Sequence, residues 1–234
     1  MFLVACASAL TERYRTDYRA KKIGPRYLGW AHFAFTSLGS LSVITYSISR
    51  VRDPSWKEWL VVPFGFLVAN LAEYFGHKGP MHHRQRFLAV IHRRHGVEHH
   101  QFFTHQDMAY ESSRDFKMVL FPPIMLLFFL GGIAAPIALV LFFVVSANAG
   151  WIFIATGIGY FLTYEWLHFA YHLPANSFVG KLVLIRVLRH HHSVHHDPAL
   201  MQKWNFNITF PICDGIFRTT YPAGKPLAER RSLS

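Results

Sequence analysis

Residues 118–164 read MVLFPPIMLLFFLGGIAAPIALVLFFVVSANAGWIFIATGIGYFLTY, 47 consecutive positions between Lys117 and Glu165 without a charge. As one helix this run would be about 70 Å long, against a bilayer hydrocarbon core of about 30 Å. A single crossing would strand half of it. The sequence therefore predicts two membrane helices, 118–133 and 136–164, joined by a tight uncharged turn at GGIAAP, residues 131–136.

Working outward, a run of 23 uncharged residues, Tyr27 to Ser49, is long enough to span, though Ser, Thr and His32 make it less apolar. The run from Trp59 to Ala72 is only 14 residues between Glu58 and Glu73, so a crossing there must borrow residues at its ends or sit in a thinned bilayer. The expected fold class is all-α and integral to the membrane, with about four spans in one domain over residues 1–234. The opening MFLVAC has no charged first region and too short an apolar run for a signal segment, and reads as a frayed start.

Charge sets the expected orientation. Of 24 Lys and Arg, three (Arg50, Arg52 and Lys57) fall between the first two spans and the other 21 (24 − 3) lie on the opposite side. The positive-inside tendency makes that opposite side cytoplasmic. Lys and Arg outnumber Asp and Glu by 24 to 13 on a chain that is 52% apolar, which points to anionic headgroups. The basic residues flank apolar stretches instead of forming an aromatic-laced stripe, so nucleic acid is not an expected partner. Cys6 and Cys213 have no metal or redox spacing.

Histidine is the anomaly: 15 of the 16 fall within 77–105 and 168–196, and only His32 lies outside. With an even number of spans between them, both windows face the same compartment. His168 and His172 are four apart and His192, His195 and His196 follow at three and four, so each set shares a helix face. His95, His99 and His100 do much the same, while His77 and His82 flank Gly79 and Pro80, where a bend is expected. Neutral imidazole suits iron, zinc, copper and nickel, and so many in one place make sense only with metal bound. Ten exceed what one ion can use; two ions would take about five each and leave positions open for dioxygen. Glu73 and Glu165 are placed to accept from the free ring nitrogens. His32, His83 and His105, as single histidines, read as structural or headgroup-binding.

These residues resemble the integral-membrane fatty acid hydroxylase and sterol desaturase superfamily from about Glu73 to Thr219. Glu73, His77 and His82 are similar to its ExxxHxxxxH box, His168 and His172 to HxxxH, and His192, His195 and His196 to HxxHH. The closing DGIFRT, Asp214 to Thr219, is similar to WDxxFGT. The middle box departs from the pattern: His95, His99 and His100 form HxxxHH where the family shows HxxHH, leaving His92 or His95 as the alternatives. His95, about one helical turn before the pair, is preferred.

The resemblance implies a four-span fold with a cytoplasmic histidine-rich cap, two irons, dioxygen, and an external electron donor of cytochrome b5 or ferredoxin type. Hydroxylation of a membrane lipid (fatty acyl, sphingolipid or sterol) is the expected reaction, with desaturation on the same site as the alternative. Zinc would also fit the imidazoles. A metal-binding or metal-transporting membrane protein is the reading from another class, but a transporter should carry ionisable residues within its spans, and 118–164 has none. A catalytically dead relative would be told apart by its failure to consume oxygen.

Overall fold

A turn inside hydrocarbon would leave backbone N–H and C=O groups with no water to bond, so an apolar chain keeps its helical ladder until polar residues can close it. In this chain that point is Ser146. The structure, a computed structural model, describes residues 2–222. Six helices of ten or more residues organise them: α1 (Phe2–Lys21), α2 (Gly29–Ser49), α3 (Val61–Gly76), α4 (Ala135–Val144), α5 (Ala147–Tyr171) and α6 (Val183–His195). No strand occurs among the described residues; a lone bridge pairs Thr104 with Asp107.

The expected turn at GGIAAP is not there. Residues Ile124–Leu127 are α-helical, Phe128–Ala134 form a π-helical stretch, and α4 continues to Val144. The helix starts only after Pro122 and Pro123, which cannot donate within a ladder, and passes through Gly131 and Gly132. It reverses at Ser146, whose hydroxyl caps α5 by accepting from Ala149 N at 3.1 Å. The hairpin is real, but its corner lies where Ser and Asn can satisfy the chain ends. α1 likewise begins at Phe2, where a frayed start is the sequence expectation.

Among the described residues two helical runs are long and apolar enough to cross a membrane: Glu58–Met81, with 24 residues and mean hydropathy 1.4, and Ser113–Val144, with 32 residues and mean hydropathy 2.6. The first does borrow at both ends, running past Glu73. The second is interrupted at the proline pair. Between them lies α5, packed against α2, α3 and α4 with 15 buried residues along its length.

The packing of α2 is inverted relative to a helix of a soluble protein. On α2 the buried positions are Gly29, His32, Thr36, Ser37, Ser40 and Ser47, while Trp30, Phe35, Leu38 and Ile48 are exposed. Small residues inside and large apolar ones outside are how helices pack in lipid, where close backbone approach replaces hydrophobic burial. A Cβ on Gly65 of α3 would already press on Thr156 and Phe153 of α5 at 3.2 and 3.3 Å.

The two ends of the bundle differ. At one, the loop after α2 docks on the hairpin corner: Asn148 receives Arg52 N at 2.9 Å and donates to Arg52 O at 2.7 Å, and the Ser146 hydroxyl donates to Glu58 at 2.5 Å. At the other, the histidine windows gather under α1. Arg15, 1% exposed, donates to Phe102 O at 2.7 Å and pairs with Asp107, and Arg19 grips both oxygens of Asp115 at 2.8 and 2.9 Å.

Candidate metal centre

The ten histidines of the expected set lie on helical residues or directly beside them, and all ten are buried. His77 and His82 bracket a π-turn, His77–Met81, that prolongs α3. Pro80 removes one rung of the ladder there, and the turn widens without breaking. The expected bend is therefore a local widening that sets His77 and His82 on one side, with ring centroids 4.9 Å apart.

The extra residue of the middle box is absorbed in the same way. Arg93–His99 is π-helical, and a helix closed by i→i+5 bonds returns to the same face after four to five residues instead of three to four. His95 and His99 stack with centroids 5.1 Å apart, and His95 and His100 approach through their Nε2 atoms at 3.4 Å. His92 turns away, to the Met81 carbonyl at 3.1 Å, so His95 is the one that joins the cluster.

The nitrogens gather into two groups able to hold an ion. One is His77, His82, His95, His100 and His195; the other is His99, His172, His192 and His196; within each the ligand atoms all lie within 4.8 Å of one another. His168 flanks the second, its Nε2 3.3 Å from that of His172 and its ring 4.9 Å from His99. The groups adjoin: His100 and His196 stack at 4.2 Å.

Proton positions follow from the carbonyls. A carbonyl only accepts, so a ring nitrogen bonded to one must carry the hydrogen. His77 donates from Nδ1 to Phe206 O at 2.5 Å, His99 to Met118 O at 2.8 Å, His172 to Met108 O at 2.7 Å, His195 to Trp204 O at 2.9 Å and His196 to Phe103 O at 2.5 Å. The Nε2 of each is then a bare lone pair aimed at other nitrogens. Among the described residues His99 Nε2 has no hydrogen-bond partner. Converging lone pairs in a dry interior repel unless a cation lies among them, so the donor set fits metal ions. Burial lowers the His99 imidazole to about 3 and holds His95, His100, His192, His195 and His196 well below the ordinary histidine range, with neighbouring imidazoles pushing the same way. Neutral rings are the form a metal requires.

A family model described as fatty acid hydroxylase matches residues 62–219, well over half the chain. The chain belongs to the fatty acid hydroxylase family. No curated protein and no solved structure matches it.

In this hydroxylase-family chain the two carboxylates do not do what the sequence suggests. Among the described residues, Glu73 hydrogen-bonds to no histidine. It accepts from Ile208 N at 2.6 Å, Thr209 N at 3.1 Å, Tyr160 Oη at 2.5 Å and the Thr209 hydroxyl. It thereby anchors the 206–209 segment, whose Phe206 carbonyl orients His77. Glu165 receives Phe121 N at 3.3 Å on both oxygens and fixes the chain beside the proline pair. A carboxylate one turn from a histidine on a helix need not face it, because the competing backbone donors arrive from elsewhere in the chain. The orienting groups are carbonyls, which carry no side-chain signature. Only the closing motif hinted at them: Asp214 holds Phe206 N and Asn207 N at 2.9 and 2.8 Å.

Of the single histidines, His32 is buried and satisfied, accepting from Tyr27 Oη at 2.7 Å and donating to Phe121 O at 2.9 Å. His83 is exposed and His105 partly buried, both outside the two groups.

An apolar cavity of about 480 Å³ ends at the centre. His77, His95, His99 and His168 form its polar end, so it touches both groups, and Gly65, Ala134, Phe153 and Gly157 line its other reach. From Phe153 to His168 along α5 is roughly 22 Å. Its rim includes Val90, Ile124 and Phe128, which are 68%, 63% and 51% exposed on the outer surface.

Proposed function

We propose that the chain is a membrane-bound di-iron oxygenase that hydroxylates a C–H bond of a lipid acyl chain or sterol, with dioxygen as co-substrate and electrons from an external donor protein. One observation carries this: a long apolar cavity, rimmed by exposed apolar residues, ends on two adjoining groups of buried histidine nitrogens. A hydrocarbon would enter sideways from the bilayer and present one carbon there.

His77, His82, His95, His100 and His195 would hold one iron, and His99, His172, His192 and His196, with His168 beside them, the other. When bound, the irons would supply the oxidising power that an unactivated C–H bond demands. The chain's own part is placement and exclusion. Carbonyls hold five Nδ1 protons and keep the Nε2 lone pairs inward. Phe121, Phe161 and Tyr164 wall the cavity near the centre and keep water from it. Arg94 secures the mouth by donating to the Lys117 and Leu120 carbonyls. Four helices, α2, α3, the run ending in α4, and α5, would span the bilayer, with the histidine end cytoplasmic. The three basic residues Arg50, Arg52 and Lys57 at the far end, against the many at this one, support that orientation.

The test is metal analysis of the detergent-purified chain together with mass spectrometry of lipids from cells expressing it. Two irons per chain and a lipid gaining one oxygen atom are the expected result; a lipid losing two hydrogens would make the enzyme a desaturase. No iron, or no new lipid with iron and reductant supplied, overturns the reading. His100→Ala should empty one group and spare the other, a loss that iron quantification reads directly.

A further inference from the structure

A second pocket, open and about 580 Å³, lies where the loop after α5 meets α6 and residues 105–108. Lys181, Arg186, Arg189, His105 and His190 line it, and among the described residues no carboxylate does. Among the described residues none of Lys181, Arg186 and Arg189 forms an ion pair. Arg189 is partly buried, donating to Leu173 O at 2.9 Å, and burial lowers its pKa with no anion beside it to oppose the shift. His105 Nδ1 is buried, with no hydrogen-bond partner among the described residues. A cluster of cations that no protein anion answers is a site awaiting one.

The helix that builds the pocket says where that anion comes from. α6 carries three stripes. Ile185, Leu188, His192 and His195 face inward; Arg186, Arg189, His190 and Ser193 face the pocket; Val183, Leu184 and Val187 are 74%, 63% and 61% exposed. Phe178, just before the helix, is 84% exposed. An aliphatic stripe beside a cationic one is the pattern of a helix lying in the headgroup layer. A soluble acidic protein would answer the cations and leave the stripe in water.

We propose that this pocket binds the phosphate of an anionic phospholipid from the leaflet on the histidine side, with the lipid's acyl chains lying along Phe178, Val183, Leu184 and Val187. The site is separate from the apolar cavity and does not depend on the reaction proposed above. Its occupation braces the metal centre from outside, because α6 ends in His192, His195 and His196, and Met108, which lines the pocket, accepts the His172 Nδ1 proton.

The test uses the purified full chain in nanodiscs of phosphatidylcholine alone or with phosphatidylglycerol titrated in, read by thermal unfolding. Anything that binds only the folded state raises its midpoint, so the midpoint should climb by several degrees as the anionic lipid is added. The Lys181→Glu/Arg186→Glu double variant should need at least about tenfold more of it, at about a decade or less per lost cation. Lys181→Gln/Arg186→Gln should fall between. Should the charge-reversed variant not fold, native mass spectrometry of the wild-type chain decides, with retained phosphatidylglycerol expected. A midpoint indifferent to the anionic lipid, glutamine and glutamate variants that titrate like wild type, or the whole shift reproduced by inorganic phosphate in a neutral bilayer, would each overturn the proposal.

Discussion

A single carboxylate shows how far a side chain can act from the site it serves. Glu73 sits four residues before His77, yet it holds the 206–209 segment and reaches the histidine only through the Phe206 carbonyl. Glu73→Ala would leave Ile208 N and Thr209 N buried and unpaired, at about 1–3 kcal/mol for each. We expect a markedly lower unfolding midpoint together with iron loss from the five-histidine group. Glu73→Gln keeps an oxygen for both amides and turns its NH2 toward two hydroxyls able to accept, so it should cost about 1 kcal/mol or less. Unfolding and iron titrations of the two variants side by side check this; equal damage from both would show that the charge, and not the clamp, is what matters.

At the level of elements, the π-helical stretches His77–Met81 and Arg93–His99 decide which rings meet. Arg93–His99 passes so close to the preceding turn that a Cβ on Gly96 would stand 2.5 Å from the Met81 carbonyl. Backbone cannot yield as a flexible side chain can. Gly96→Ala should push the middle box from the first, separating His95 from His77 and His82, and the protein should fold with iron lost from that group first; iron stoichiometry measures it. The hairpin corner is an independent case. Ser146→Ala removes the cap of α5 and should cost about 1 kcal/mol, visible as a lower unfolding midpoint, with iron content unchanged because the corner lies at the far end of the bundle.

For the whole molecule, burial of so many neutral imidazoles couples stability to pH. His99 ordinarily titrates near 6.5 and is held to about 3 in the folded state. Below about 6.5 the unfolded chain gains protons that the folded chain refuses, so stability is intact above that value and falls as pH drops toward 3. Metal binding has the same sign, since each ligand must be neutral. Unfolding and metal release followed from pH 7.5 downward should begin together just under 6.5. The cavity yields a second expectation at this scale. Gly157, whose Cβ would meet only Ala134 at 3.8 Å, lines the reach remote from the histidines. Gly157→Leu should curtail turnover of long chains more than short ones at unchanged iron content, as a competition between two acyl lengths would reveal.

The sequence by itself determined the long apolar runs and the crowd of histidines, nine of which the structure gathers into two groups with His168 beside the second, because an uncharged run and a crowd of imidazoles each have few physical uses. It also carried the family boxes, although the middle one is a residue too long. What only the tertiary structure decided was the corner at Ser146, the membership of the two groups of rings, and the carbonyls that orient them. Those outcomes rest on backbone geometry and on hydrogen bonds between residues far apart in the chain. Neither leaves a mark on residue type, so spacing alone could place Glu73 near His77 but not show that Ile208 and Thr209 would claim it.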